Sequence, residues 1–118
     1  MQKLITWVEI PAVDFDRAVE FYNSVFRLNL TKADFGQEKM ACFPNDEGAI
    51  SYAPNFKPSK DGVLVSLTAP DNIESTLLRV ESKGGTILQS KTKIEAEERD
   101  FFAICTDSEG NKIGIYGK

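Results

Sequence analysis

Histidine is absent from all 118 residues. Ser-His triads, Cys-His dyads, imidazole proton shuttles and every His-containing metal site are excluded at once. Cysteine is nearly absent too: Cys42 and Cys105 stand far apart, with no Cys-x-x-Cys spacing. Both fall in strand-like patterns and read as small core thiols in a reduced, cytoplasmic setting. No window approaches the roughly 20 apolar residues of a membrane span. Met1-Gln2-Lys3 runs directly into a strand-like pattern, without the apolar core of a signal peptide. Basic charge is also short, 14 Lys and Arg against 18 Asp and Glu, giving a net charge of −4. With no basic cluster to meet phosphates, neither nucleic acid nor a membrane surface is an expected partner.

What remains is ordinary globular material, 42% hydrophobic and 27% charged, in an amount that fits one domain. Residues 4–12 alternate, with Thr6, Val8 and Ile10 on one side and Trp7, Glu9 and Pro11 on the other. Pro11 has no N–H to donate, so it ends the ladder or lies at its edge. Asp14 offers a helix N-cap. Phe15, Ala18, Val19, Tyr22 and Val25/Phe26 then form an apolar stripe at helical spacing, with Arg17, Glu20 and Asn23 on the wet face. Short strands are expected over 28–34, 39–44 and 48–53, the last two divided by the turn Asn45-Asp46-Glu47-Gly48.

Residues 54–62, with two prolines and a glycine, read as a linker, and the pattern then restarts. Val63, Val65 and Leu67 alternate with Leu64, Ser66 and Thr68. Pro70-Asp71-Asn72 turns and caps the chain. Ile73, Thr76, Leu77 and Val80 repeat the spacing of Phe15, Ala18, Val19 and Tyr22, and Gly84-Gly85 ends this second helix. Strands follow near 86–95, 100–106 and 111–117, with a turn at Asp107-Ser108-Glu109-Gly110. Lys91 to Arg99 is charged and reads as a loop or an exposed edge. The order is βαβββ twice: module 1 about 1–53, linker about 54–62, module 2 about 63–118. The expected fold is α+β, a curved, mostly antiparallel eight-stranded sheet forming a cup with the helices outside. A ferredoxin-like βαββαβ order is the rival, and three strands between the helices argue against it.

Two segments carry a family resemblance. Glu9-Ile10-Pro11-Ala12-Val13-Asp14-Phe15-Asp16-Arg17-Ala18-Val19-Glu20-Phe21-Tyr22 resembles the opening strand and D-x-x-R-A-x-x-F-Y helix of the vicinal oxygen chelate superfamily, which includes glyoxalase I, bleomycin-resistance proteins and extradiol dioxygenases. Asp107 to Tyr116 resembles its closing D-P-x-G-N-x-I-E-L hairpin, with Ser108 where proline is usual. The resemblance implies a cup in which metalloenzyme members hold a divalent ion with one side chain from the first and last strand of each module. Those places fall on Trp7, on Ser51 or Tyr52, on Leu64, and on Gly114. Three of these side chains cannot ligate such an ion, and a serine hydroxyl alone is a poor ligand. No metal cofactor is therefore expected, and with it no Lewis-acid chemistry.

If Trp7 faces the inner surface, alternation brings Glu9, Ser66, Thr68, Gly114 and Tyr116 with it. The expected function is metal-independent binding of a small organic molecule in the cup by Trp7, Glu9, Ser51, Tyr52, Leu64, Ser66, Gly114 and Tyr116. The acidic balance weakly favours a cationic ligand. Two alternatives stay open: a metal-free enzyme in which Glu9 is the catalytic base, or a regulatory domain with a vestigial, filled cup. Trp7 either plugs the vacated space or stacks on a ligand. A homodimer is expected, with modules paired within one chain or across a two-fold axis.

Overall fold

The structure is a computed structural model and describes residues 3–95 and 100–118. The first module contains β1 (Val8–Pro11), α1 (Phe15–Phe26), β2 (Lys32–Asp34), β3 (Lys39–Cys42) and β4 (Gly48–Tyr52). The second contains β5 (Val65–Thr68), α2 (Ile73–Ser82), β6 (Thr86–Lys93), β7 (Phe101–Thr106) and β8 (Lys112–Gly117). Each module is βαβββ and builds one four-stranded mixed sheet, ordered β1-β4-β3-β2 in the first and β5-β8-β7-β6 in the second. The first and last strands of each module lie parallel, the other pairs antiparallel. Among the described residues no helix is long and apolar enough to cross a membrane.

α1 forms where the apolar stripe requires it. Asp14 caps it by accepting the Arg17 N–H, and Arg27 closes it in the left-handed conformation. Its buried face holds Phe15, Ala18, Val19, Tyr22, Val25 and Phe26, joined by Phe21, which packs edge-on against Tyr22. Phe21 lies off the expected stripe and is buried because α1 also packs beside α2. There Arg79 donates to the Val25 carbonyl at 2.9 Å while pairing with Asp71. Each large side chain so buried contributes about 1.5–3 kcal/mol. In the sheets, Ile10, Ala41 and Ile50 face α1, and Ala103, Cys105, Ile113 and Ile115 complete the core from the second module.

The expected single eight-stranded sheet is two sheets, with β1 and β5 as unjoined end strands. The outward edge of β1 explains part of this. Pro11 has no N–H there, and its carbonyl accepts from Asn111 Nδ2 at 2.8 Å. β1 and β5 are also shorter than their alternating patterns: residues 3–7 and 63–64 extend beyond the ladders. Without a second strand alongside, alternation alone does not create pairing. At the other end of the ladder, Gly48 lies against β1 so closely that a Cβ there would collide with the Val8 carbonyl. The charged stretch 91–99 begins as the end of β6, an edge strand, and its residues 96–99 lie outside the described residues.

The modules are clasped by the β7–β8 turn. Glu109 accepts N–H bonds from Val13 at 2.9 Å and Asp14 at 2.7 Å, and pairs with the Arg17 guanidinium at 2.7 Å. Asp107 accepts from the buried Tyr22 hydroxyl at 2.6 Å and from Asn111. The Ser59 N–H donates to Asn111 Oδ1, which fastens the linker to the same turn. Burial pushes the Glu109 carboxyl up, but the Arg17 guanidinium, the Asp14 and Val13 amides and the Ser108 hydroxyl outweigh it and leave it below the ordinary 4.5. A carboxylate depressed on folding stabilises above its ordinary range and loses that contribution as pH falls through the folded value. Glu109→Ala should therefore cost about 2–3 kcal/mol at pH 7, measured by urea denaturation. Glu109→Gln should cost less, and its stability should fall less between neutral pH and pH 3 than that of the unaltered protein. Equal slopes would remove the charge from the account.

Candidate functional site

The pleat sorts each strand into two faces, and register fixes which residues share one. In the first sheet Ile10 pairs with Ile50 and Ala41 lies opposite Ile50, all toward α1. Glu9, Ala49, Ser51, Met40 and Cys42 must then face the opposite side. Three side chains meet there. Ser51 Oγ donates to one Glu9 oxygen at 2.8 Å, and the Trp7 indole N–H donates to the other at 3.2 Å. These partners fix the Glu9 rotamer while leaving each oxygen a free lone pair. Trp7 is 37% exposed, and its indole stands beside Glu9. Together with Met40 and Phe56 these groups line an open groove of about 540 Å³.

Tyr52 follows the other parity. It pairs with Lys39, packs against the core from the α1 side, and lies under the Lys39 ammonium at 5.7 Å. Of the two candidates on β4, Ser51 is the one on the Glu9 face, although the Tyr52 edge reaches the groove. Cys42 corrects the expectation of a core thiol. Its neighbour Ala41 takes the buried position, which leaves Cys42 exposed.

The remaining candidates sit on the second sheet. Ser66 pairs with Gly114 and Thr68 with Tyr116, all on the face away from Ile113 and Ile115. A Cβ on Gly114 would collide with Ser66 Oγ, so the serine occupies the space a longer residue would need. Leu64 precedes β5 and is exposed. The candidates thus form two groups, Trp7–Glu9–Ser51 on one sheet and Ser66–Thr68–Gly114–Tyr116 on the other. Among the described residues, no three His, Cys, Asp or Glu side chains cluster as a metal site would require.

Two four-stranded βαβββ sheets with outer helices and an open face define a class of cup-shaped, duplicated proteins. The sequence profile of the Glyoxalase/Bleomycin resistance protein/Dioxygenase superfamily matches residues 4–115, and the chain belongs to that superfamily. Glyoxalase I from Zea mays is similar at 18% identity and a TM-score of 0.68, over 94% of this chain and 44% of that one. This chain therefore spans less than half of the maize protein. A glyoxalase/bleomycin resistance protein/dioxygenase family enzyme from Burkholderia phytofirmans PsJN is similar at 15% identity and a TM-score of 0.67, over 94% and 95% of the two chains. A glyoxalase/bleomycin resistance protein from Albidiferax ferrireducens T118 aligns over 98% of this chain and 100% of its own, at 16% identity and a TM-score of 0.68. At these identities the likeness is one of fold. No curated protein matches the chain in sequence.

The two thiols report on the faces independently. Burial, aided by nearby Asp107, pushes the Cys105 thiol up to about 12. A thiol reagent at neutral pH should label one cysteine, Cys42, with Cys105 reacting only after denaturation. Peptide mapping would show the split, and equal labelling of both would contradict the face assignment.

Proposed function

We propose that this protein binds a small organic molecule on the Trp7–Glu9–Ser51 face without a metal ion. The observation that supports it most is the Glu9 carboxylate, held by two donors at a groove edged by the Trp7 and Phe56 rings. The groove suits a molecule with an apolar body and a donor or cationic handle. The handle meets Glu9, the body lies on Trp7, Phe56 and Met40, and Tyr52 borders the far end. Ser66, Gly114 and Tyr116 lie on the other sheet, with Leu64 just before it, and none of the four lines this groove.

Metal independence is supported by the donor set. Glu9 and Glu38 are the carboxylates lining the groove, which Lys39 also lines, the Ser51 hydroxyl is already committed to Glu9, and Gly114 offers no ligand. Two carboxylates beside an ammonium, with no third Asp, Glu, Cys or His clustered with them among the described residues, do not offset the cost of stripping water from a divalent ion. The residues do not fit a resident metal.

A homodimer is part of the same proposal. Leu4 (97% exposed), Ile5 (67%) and Val63 (89%) extend past the ends of β1 and β5, where a second copy would cover them. Light scattering should give twice 13.1 kDa, and a combined Leu4→Ser, Ile5→Ser variant should give the monomer. A monomer at all concentrations would remove this part.

Trp7 is the only tryptophan, so its fluorescence reports ligand directly. Aromatic amines and cationic amphiphiles should shift or quench it saturably, with chelator causing no change in affinity. Glu9→Gln should weaken cationic ligands about tenfold while leaving the melting temperature within a few degrees. Loss of binding on chelation, or full affinity in Glu9→Gln, would overturn the proposal.

A further inference from the structure

A second cavity, of about 400 Å³, opens along the seam between the modules, and neither Trp7 nor Glu9 lines it. Its volume falls in the roughly 300–1,000 Å³ range of small-molecule sites. The two walls differ in chemistry. Phe26, Leu28 and Phe43 from the first module make an apolar wall. The opposite wall is the unjoined edge of β5.

The polarity of that edge follows from the ladder. The Ala69 N–H donates to the Tyr116 carbonyl at 2.9 Å, and Ser66 and Thr68 lie opposite Gly114 and Tyr116. In a parallel pair, alternate residues turn both backbone groups to the neighbouring strand. Val65, Leu67 and Ala69 therefore serve β8, and Ser66 and Thr68 turn their N–H and C=O groups outward. Because β5 ends its sheet, those groups meet the seam. Pro11 and Asn111 blunt the facing edge of β1, but nothing comparable covers this stretch of β5 among the described residues.

Two polar side chains stand at the rim, Asn45 and Glu47. Among the described residues neither makes a side-chain hydrogen bond or ion pair, and no basic residue lines the cavity. An apolar wall, a hydrogen-bonding strand edge and an uncompensated carboxylate thus converge on one space.

We propose that the seam is a separate binding site for a small peptide-like amide that carries an amine and an apolar side group. The amide extends β5 by pairing with the backbone of Ser66 and Thr68, as an added strand does. The side group lies on Phe26 and Phe43, and the ammonium faces Glu47. A dipeptide amide supplies all three features. This assignment is independent of the Glu9 site, because the seam contacts the backbone of Ser66 while its hydroxyl lies over Gly114.

The test is an amide-resolved NMR titration of the full chain with phenylalanyl-leucinamide, alongside its N-acetylated form, which lacks the amine. The expected result is saturable movement of the Ser66 and Thr68 amides with the Trp7 indole resonance unmoved. The acetylated probe should bind about two- to fivefold more weakly, the range of an exposed ion pair. Glu47→Gln, a surface change, should erase that difference. Three outcomes would overturn the proposal: no saturable movement at Ser66 and Thr68, equal affinities of the two probes, or movement centred on the Trp7 indole.

Discussion

The side chain of Glu109, fully shielded from solvent, ties the two halves of this molecule together beside the hydrophobic core they share. It fills the N-terminus of α1, where the Val13 and Asp14 amides lack intrahelical acceptors, and it neutralises Arg17 from the first turn of the same helix. An acidic side chain at a helix N-terminus is favourable wherever it comes from. Here it comes from the opposite module. The neighbouring Asp107–Tyr22 and Asn111–Pro11 bonds complete the plug, so a hydrogen-bonded turn joins the modules in place of a continuous β-ladder.

That mode of joining has consequences for the sheets. A ladder from β1 to β5 would consume the edge groups of both strands and close the seam. With the turn carrying the attachment, and with Arg79 tying α2 to the end of α1, the strands end their sheets separately. The seam remains open, and the faces away from the helices stay free of core packing. The pleat then decides which chemistry appears there. Glu9 and Ser51 stand on the open face because Ile10 and Ile50 are needed on the other.

Much of this was legible in the residues, because much of it is local. The stripe from Phe15 to Phe26, the Asp14 cap, the second helix from Ile73 and the turn at 107–110 follow from spacing and capping chemistry over a few positions. Strand alternation also placed Trp7 with Glu9, and their hydrogen bond accords with it. Where local pattern misled, a partner was at issue. Residues 4–7 and 63–64 alternate like strands yet have no neighbour to pair with. Cys42 and Tyr52 each needed the register of β3 on β4 before a face could be assigned. The Glu109 contacts with Val13, Asp14 and Arg17 span 92 to 96 positions. Nothing in the turn's own sequence distinguishes a solvent-facing glutamate from one seated in a distant helix end.

Hydrogen exchange at the Val13 and Asp14 amides tests the plug most directly. Both lie in an exposed connection before α1, where an unpaired amide exchanges within the time of local fluctuations. If Glu109 holds the modules together, these two amides exchange as slowly as those of Ile50 and Ile115 in the core strands, through the same global opening. Exchange at the rate of the exposed linker 54–62, with the core still protected, would mean that the modules are held by something else.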